Sequence, residues 1–149
     1  MNYPISRALP DDARQMKAIA VAAKAHWGYS AEWMAQWTAL VQVTEEYLAQ
    51  QAAYTALSNH TIIGWHAVIL GRPTAVLDHL WVEPAFMGKG VGRALFTHAR
   101  QIAQQQGAVY LEIEADPHAV GFYQYMGAAI VGQTQSDMGR MLPRMEITL

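Results

Sequence analysis

The apolar and polar positions change period several times along the chain, and each change predicts an element. "YPISRA" alternates over a short run beginning at Tyr3, which predicts a strand. From Pro10 the period lengthens. Acidic residues open "PDDARQMKAIAVAAKA", and Ala13, Met16, Ile19, Ala20 and Ala23 then recur at helical spacing. "HWGYS" breaks that helix. Ser30 is placed to cap "AEWMAQWTAL", and Thr44 to cap "EEYLAQ". The pattern next turns strand-like in "AYTALS" and "TIIGWHAVIL", joined by the polar turn "NH", and again in "TAVLDHLWV" after the turn "GRP". Strict alternation there places His79 and Trp81 on one face, opposite Asp78 and Leu80. Val91, Leu95, His98 or Ala99, and Ile102 mark one face of a second long helix that Gly107 ends. "AVYLEIEA" is a strand with Val109, Leu111 and Ile113 alternating against Tyr110, Glu112 and Glu114. "PHAVGFYQYMG" is a short helix, opened by Pro117 and closed by Gly127. "AAIVG" and "RMEITL" finish the chain as short strands. This order predicts an α/β (α+β) domain with a mixed sheet.

The totals narrow the class. A chain of 149 residues, 52% apolar and 15% charged, fits one globular domain spanning residues 1–149. No apolar stretch has bilayer length and the first residues lack a signal-peptide pattern, so no membrane partner is expected. The absence of cysteine excludes disulfides, thiol nucleophiles and thiolate metal sites, and fits a cytoplasmic protein. A net charge of −2 offers no broad basic face, so nucleic acid is not an expected partner. The six histidines are scattered without ligand spacing, so no metal is expected.

One stretch departs from this ordinary texture. "VEPAFMGKGVGRALF", from Val82 to Phe96, puts Gly88, Gly90 and Gly92 between a strand and a helix. The first N–H groups of a helix lack internal partners, the helix dipole adds positive potential, and glycine lets backbone approach an anion. Met87, Gly88, Lys89, Gly90, Val91, Gly92 and Arg93 thus form a candidate pyrophosphate cradle. The spacing matches neither the phosphate loop of nucleoside triphosphatases nor the dinucleotide fingerprint, which needs glycine where Arg93 stands. A glycine turn that only tightens a strand–helix corner is the competing reading.

"VEPAFMGKGVGRAL" resembles the acyl-CoA loop of the GCN5-related N-acetyltransferase (GNAT) superfamily, and "ADPHAVGFYQYMGA" resembles that superfamily's second signature. The two stand in the expected order, and the resemblance is strongest from Leu77 to Gly127. It implies a mixed, mostly antiparallel twisted sheet of six to seven strands flanked by helices, with acyl-CoA in a cleft beside splayed central strands. It implies that Leu80, Trp81 and Val82 meet the pantetheine arm, that Met87 to Arg93 hold the pyrophosphate, and that Asp116 and Tyr123 lie near coenzyme A. Three positions depart from the usual pattern: Met87 for a polar residue, Asp116 for asparagine and Ala128 for phenylalanine. The implied activity is transfer of acetyl from acetyl-CoA, as co-substrate, to a primary amine of a small molecule by direct attack. A non-catalytic acyl-CoA sensor is the alternative. Dimerisation is common in that superfamily, so a homodimer is allowed, though nothing in the sequence specifies its interface.

Tyr123 is the candidate donor to the departing thiolate. A phenol of pKa about 10 facing a thiol of about 8.5 makes full proton transfer uphill by roughly 2 kcal/mol, so a hydrogen bond is the expected role. The base is open among His79, Glu83, Glu112, Glu114, His26 and water, with His79 the catalytic candidate because of its titration range. His26, Trp27 and Tyr29, at the helix break, are the candidate acceptor pocket. Trp33 and Trp37 are expected in the core, and Arg140 and Arg144 at the surface, with either one alternatively near a substrate carboxylate.

Overall fold

The computed structural model describes residues 2–149. Its seven strands form one sheet, and the helices cover both faces. In chain order these are β1 (Ile5–Arg7), α1 (Ala13–Ala25), α2 (Ala31–Leu40), α3 (Glu45–Gln50), β2 (Ala52–Ser58), β3 (Thr61–Ile69), β4 (Thr74–Val82), α4 (Val91–Gln105), β5 (Tyr110–Glu114), α5 (Val120–Tyr125), β6 (Ala129–Gln135) and β7 (Met141–Thr148). The sheet order is β1-β2-β3-β4-β5-β7-β6. Every pairing is antiparallel except β4 with β5. The predicted order and the mixed, mostly antiparallel sheet are therefore both present.

Local chemistry explains most boundaries. Ser30 Oγ accepts from Trp33 N at 3.1 Å, and Thr44 Oγ1 accepts from Tyr47 N at 3.0 Å, so both predicted caps form. The "NH" turn between β2 and β3 holds Asn59 and His60 at φ 50° and 64°, the paired left-handed geometry of a two-residue hairpin. Gly107 and Gly127, at φ 96° and 103°, close α4 and α5.

α1 buries Ala13, Met16, Ile19, Ala20 and Ala23 on one side of the sheet, against Trp65 and Ala67 of β3. The Trp65 indole N–H donates to Met16 O at 2.8 Å, so this buried polar group is satisfied. α4 packs on the opposite face, where Val91, Leu95, Phe96, Ala99 and Ala103 are buried. It comes close because β3 carries Gly64 beneath it. A Cβ at that position would lie 2.8 Å from Trp81 O and 3.0 Å from Leu95 Cδ1. The α4 glycine turn is thereby fixed relative to the end of β4.

β4 breaks its own alternation. Ala67 pairs with His79 and Val68 with Leu77, which leaves Asp78 as an extra residue in a bulge. The expected opposition of Asp78 and His79 fails for this reason. Tyr47 of α3 donates to Asp78 and also packs edge-on against the His79 ring, so both residues turn toward the α1–α3 side. Leu77 and Leu80 both pack on the α4 side.

Candidate active site

The parallel pairing of β4 with β5 ends at Leu77 and Ile113, although β4 runs on to Val82. Past that point the strands diverge. Backbone groups of β4 from Asp78 onward have no strand partner on the β5 side. A cleft of about 1120 Å³ opens there, bounded by Leu80, Trp81 and Val82 on one side and by Ile113, Glu114 and Tyr123 on the other.

The glycine turn closes one end. Gly88 and Gly90 have φ of 76° and 84°, a left-handed backbone in which a side chain is strained. A Cβ at either would meet nothing within 4 Å, so the space above the turn is open to an approaching group. Gly90 is the N-cap of α4 and provides no side-chain cap, and the first intrahelical bond runs from Ala94 N to Gly90 O. The N–H groups of Val91, Gly92 and Arg93 thus remain as donors beside the open space. Tyr3 secures the turn from outside, its hydroxyl donating to Lys89 O at 2.7 Å.

The middle of the cleft is acidic and aromatic. Asp78, Glu114 and Asp137 all line it. Burial, then the nearby Glu112, Asp78 and Asp137, raise Glu114 above the usual carboxyl range. Tyr123 is 7% exposed, and burial together with Asp116 pushes its hydroxyl well above the ordinary phenol value. His79 is held differently. Its Nδ1 accepts from the Trp81 indole N–H at 2.9 Å, and burial lowers its pKa. The neutral ring therefore carries its proton on Nε2, which lies 3.7 Å from Asp78.

The other end of the cleft is built around Asp116, which precedes α5. Its Oδ2 accepts from Lys24 Nζ at 2.7 Å, Tyr29 OH at 2.6 Å and Arg140 Nη2 at 3.1 Å. Its Oδ1 accepts from His118 N at 2.8 Å and lies 2.9 Å from His118 Nδ1. Burial alone raises this carboxyl, but the donors from Lys24, Tyr29 and His118 outweigh it and hold Asp116 well below the carboxylate range. Burial also lowers the Lys24 ammonium, an effect that Asp116 partly offsets. Trp27 stacks on His118 with ring centroids 5.5 Å apart, and Tyr29 stacks on Trp33 at 3.9 Å.

Splayed strands, an uncapped glycine turn and a buried tyrosine on the following helix form the arrangement implied by the two signature stretches. A family model described as an acetyltransferase (GNAT) domain matches residues 15–149. The chain belongs to this GNAT family. Two curated relatives, the peptidyl-lysine N-acetyltransferases YjaB of Salmonella typhimurium and Escherichia coli, are each 32% identical over 72 residues. That match spans 48% of this chain and 48% of each relative. A GCN5-related N-acetyltransferase structure from Rhodopseudomonas palustris superposes with a TM-score of 0.86 at 24% identity, covering 100% of this chain and 97% of the other. PaiA N-acetyltransferase from Thermoplasma acidophilum, solved with coenzyme A, gives 0.82 at 18% identity, covering 100% of both chains. At these identities the structural likeness establishes the shared fold.

Within this GNAT fold, most of the sequence-predicted residues converge. Leu80, Trp81, Val82, Met87, Gly88, Gly90, Gly92, Arg93, Asp116 and Tyr123 all line the cleft. Val91 does not, because its side chain, 1% exposed, is buried with Ala56, Ile63 and Leu95. Lys89 folds its ammonium over Phe86 at 5.3 Å. The acceptor trio separates. Trp27 lines the cleft, Tyr29 lies behind Asp116, and His26 is exposed at the end of α1, away from the cleft. His26 leaves the candidate pocket for that reason. Trp33 and Trp37 are half-buried; Trp37 packs against the α1–β3 core as expected, and both rings face Lys24.

Sequence reasoning missed Lys24, Asp78 and Tyr47. Lys24 had a signal: Met16, Ala20 and Lys24 follow each other at four-residue steps on the buried face of α1. Among the described residues no helix is long and apolar enough to cross a membrane.

Proposed function

We propose that this GNAT protein is an N-acetyltransferase that moves acetyl from acetyl-CoA to the primary amine of a small molecule, by direct attack with both substrates bound. One observation carries the reading. The open glycine turn, the free edge of β4, Tyr123 and the acidic wall line a single continuous cleft. Coenzyme A fits the residues present: α4 N–H donors and Arg93 for the pyrophosphate, the β4 edge for the pantetheine arm, and Tyr123 near the sulfur. The chain has no cysteine to take up the acetyl group, which favours direct attack over a thiol-bound intermediate.

The roles follow from the chemistry. An acceptor amine arrives largely as ammonium and must lose a proton before attack. Glu114 is assigned that proton, directly or through a water, because its carboxyl lines the cleft and is raised toward the working range. His79 is assigned a positioning role instead, since its basic Nδ1 is engaged by Trp81. The oxyanion is assigned to backbone N–H groups of β4 beyond Leu77, where pairing with β5 has ended. Tyr123 donates a hydrogen bond to the departing thiolate. Its raised pKa keeps it protonated throughout, which fits a hydrogen bond better than full proton transfer.

The test is calorimetric titration with acetyl-CoA, followed by thiol release against a panel of small amines. Release with a small amine supports the reading. A second reading, a peptide-lysine acceptor, is favoured by the names of the YjaB relatives and predicts release with lysine peptides only. Binding with no release on any acceptor returns the protein to the sensor class.

A further inference from the structure

The transfer chemistry does not use the charged assembly around Lys24. This side chain lines the cleft although it is 6% exposed. Five aromatic rings surround its ammonium: Trp37 at 5.2 Å, Trp27 and Trp33 at 5.5 Å, Tyr29 at 5.6 Å and Trp81 at 5.7 Å. Aromatic faces beside a carboxylate are the chemistry that captures an ammonium. Here the captured ammonium belongs to the protein, so a cationic ligand finds that box full.

The charge left over is positive. Lys24 and Arg140 bring two cations to the single carboxylate of Asp116. Both oxygens of Asp116 are already taken by Lys24, Tyr29, Arg140 and His118. An ammonium has three donors, and Asp116 uses one of those of Lys24. Elsewhere in the same cleft, Asp78, Glu114 and Asp137 present the opposite sign. Trp81 connects the two regions. Its ring flanks Lys24, and its indole N–H holds His79 beside Asp78. With Trp27 and Trp37 it supplies an apolar wall.

We infer that the acceptor is an amino acid with an apolar body: its free carboxylate is taken by Lys24, and its amine faces Glu114 and Tyr123. Lys24 is then the residue that determines specificity, turning a box suited to cations into an anion-accepting end. This deepens the N-acetyltransferase reading and rests on it for the identity of the amine end.

The test uses the full chain saturated with coenzyme A and reads binding of product-like ligands by calorimetry. Two pairs are titrated, N-acetyltryptophan against its carboxamide and 6-acetamidohexanoate against its carboxamide. They share the acetylated nitrogen and differ in the charge and in its spacing. The acid of at least one pair should bind about tenfold or more tightly than its amide. The triple variant Lys24→Met, Asp116→Asn and Arg140→Gln removes both cations together with the carboxylate they share, and should erase that difference. Arg140→Gln, a half-exposed position, should reduce it. Equal binding of acid and amide in both pairs, failure of all four ligands to bind, or an acid preference that survives the triple variant would overturn the inference. Repeating the titrations without coenzyme A separates the two failures. Loss of coenzyme A binding alone sinks the transferase reading, while the acid–amide difference still reports on Lys24.

Discussion

The two ends of the cleft are built from different materials. At the glycine turn the working groups are backbone N–H donors at the start of α4, with glycines leaving the approach open and no side chain capping the helix. At the Asp116 end the working groups are side chains from α1, the α1–α2 connection, the segment before α5 and the segment before β7. A backbone site recognises a group common to all partners of the fold. A side-chain site can change its charge one residue at a time while the strands beneath it stay put. The proposed reading assigns coenzyme recognition to the first and acceptor choice to the second.

The largest expected effect breaks the backbone end. Gly90→Asp adds a negative charge at a left-handed position facing the open space, and should weaken acetyl-CoA binding about a hundredfold or more by calorimetry. Binding that stays within a few fold would show that the turn only joins a strand to a helix. Tyr123→Phe should lower kcat about a hundredfold while leaving the acetyl-CoA Kd nearly unchanged. Unaltered turnover would reduce this tyrosine to packing.

Asp116→Ala strands a buried ammonium on Lys24, and should cost about 3 kcal/mol of stability by denaturant unfolding. Asp116→Ala combined with Lys24→Met should recover much of that loss. A double variant no better than the single one would deny the pairing. The assignment of Glu114 is sharpened by pH. Its carboxyl is raised, so kcat/KM should fall as pH drops through a value above the ordinary glutamate range, and Glu114→Gln should remove that limb.

The smallest effect lies outside the cleft. His66 is fully buried, its Nε2 lies 2.9 Å from His98 Nδ1, and burial followed by His98 lowers its pKa to about 3. The neutral ring is favoured in the folded state. Its stabilising contribution is complete above the unfolded value of about 6.5 and is lost as pH falls toward 3, because the unfolded chain takes up the proton first. His66→Gln should flatten the stability–pH curve in that window, measured by urea midpoints.

What the sequence disclosed follows the same division. The hairpin turn at Asn59 and His60, the caps at Ser30 and Thr44, and the glycine turn were legible because each is decided by a few adjacent residues. The Asp116 assembly was not, because Lys24 lies 92 positions away from Asp116 and Tyr29 lies 87. Only the four-residue step from Ala20 to Lys24 hinted at a buried ammonium. The facing of Asp78 was lost to one extra residue in β4. A period-two pattern reports which side a residue takes only while the ladder stays in register.

The tie from Tyr3 to Lys89 O joins the segment before an edge strand to the glycine turn, across 86 positions of sequence. A ligand that orders that turn would act on the outermost strand through this bond. Amide hydrogens of Ile5 to Arg7 should therefore exchange more slowly once coenzyme A is bound. That slowing makes the rim of the sheet a remote gauge of occupancy that needs no acceptor and no turnover.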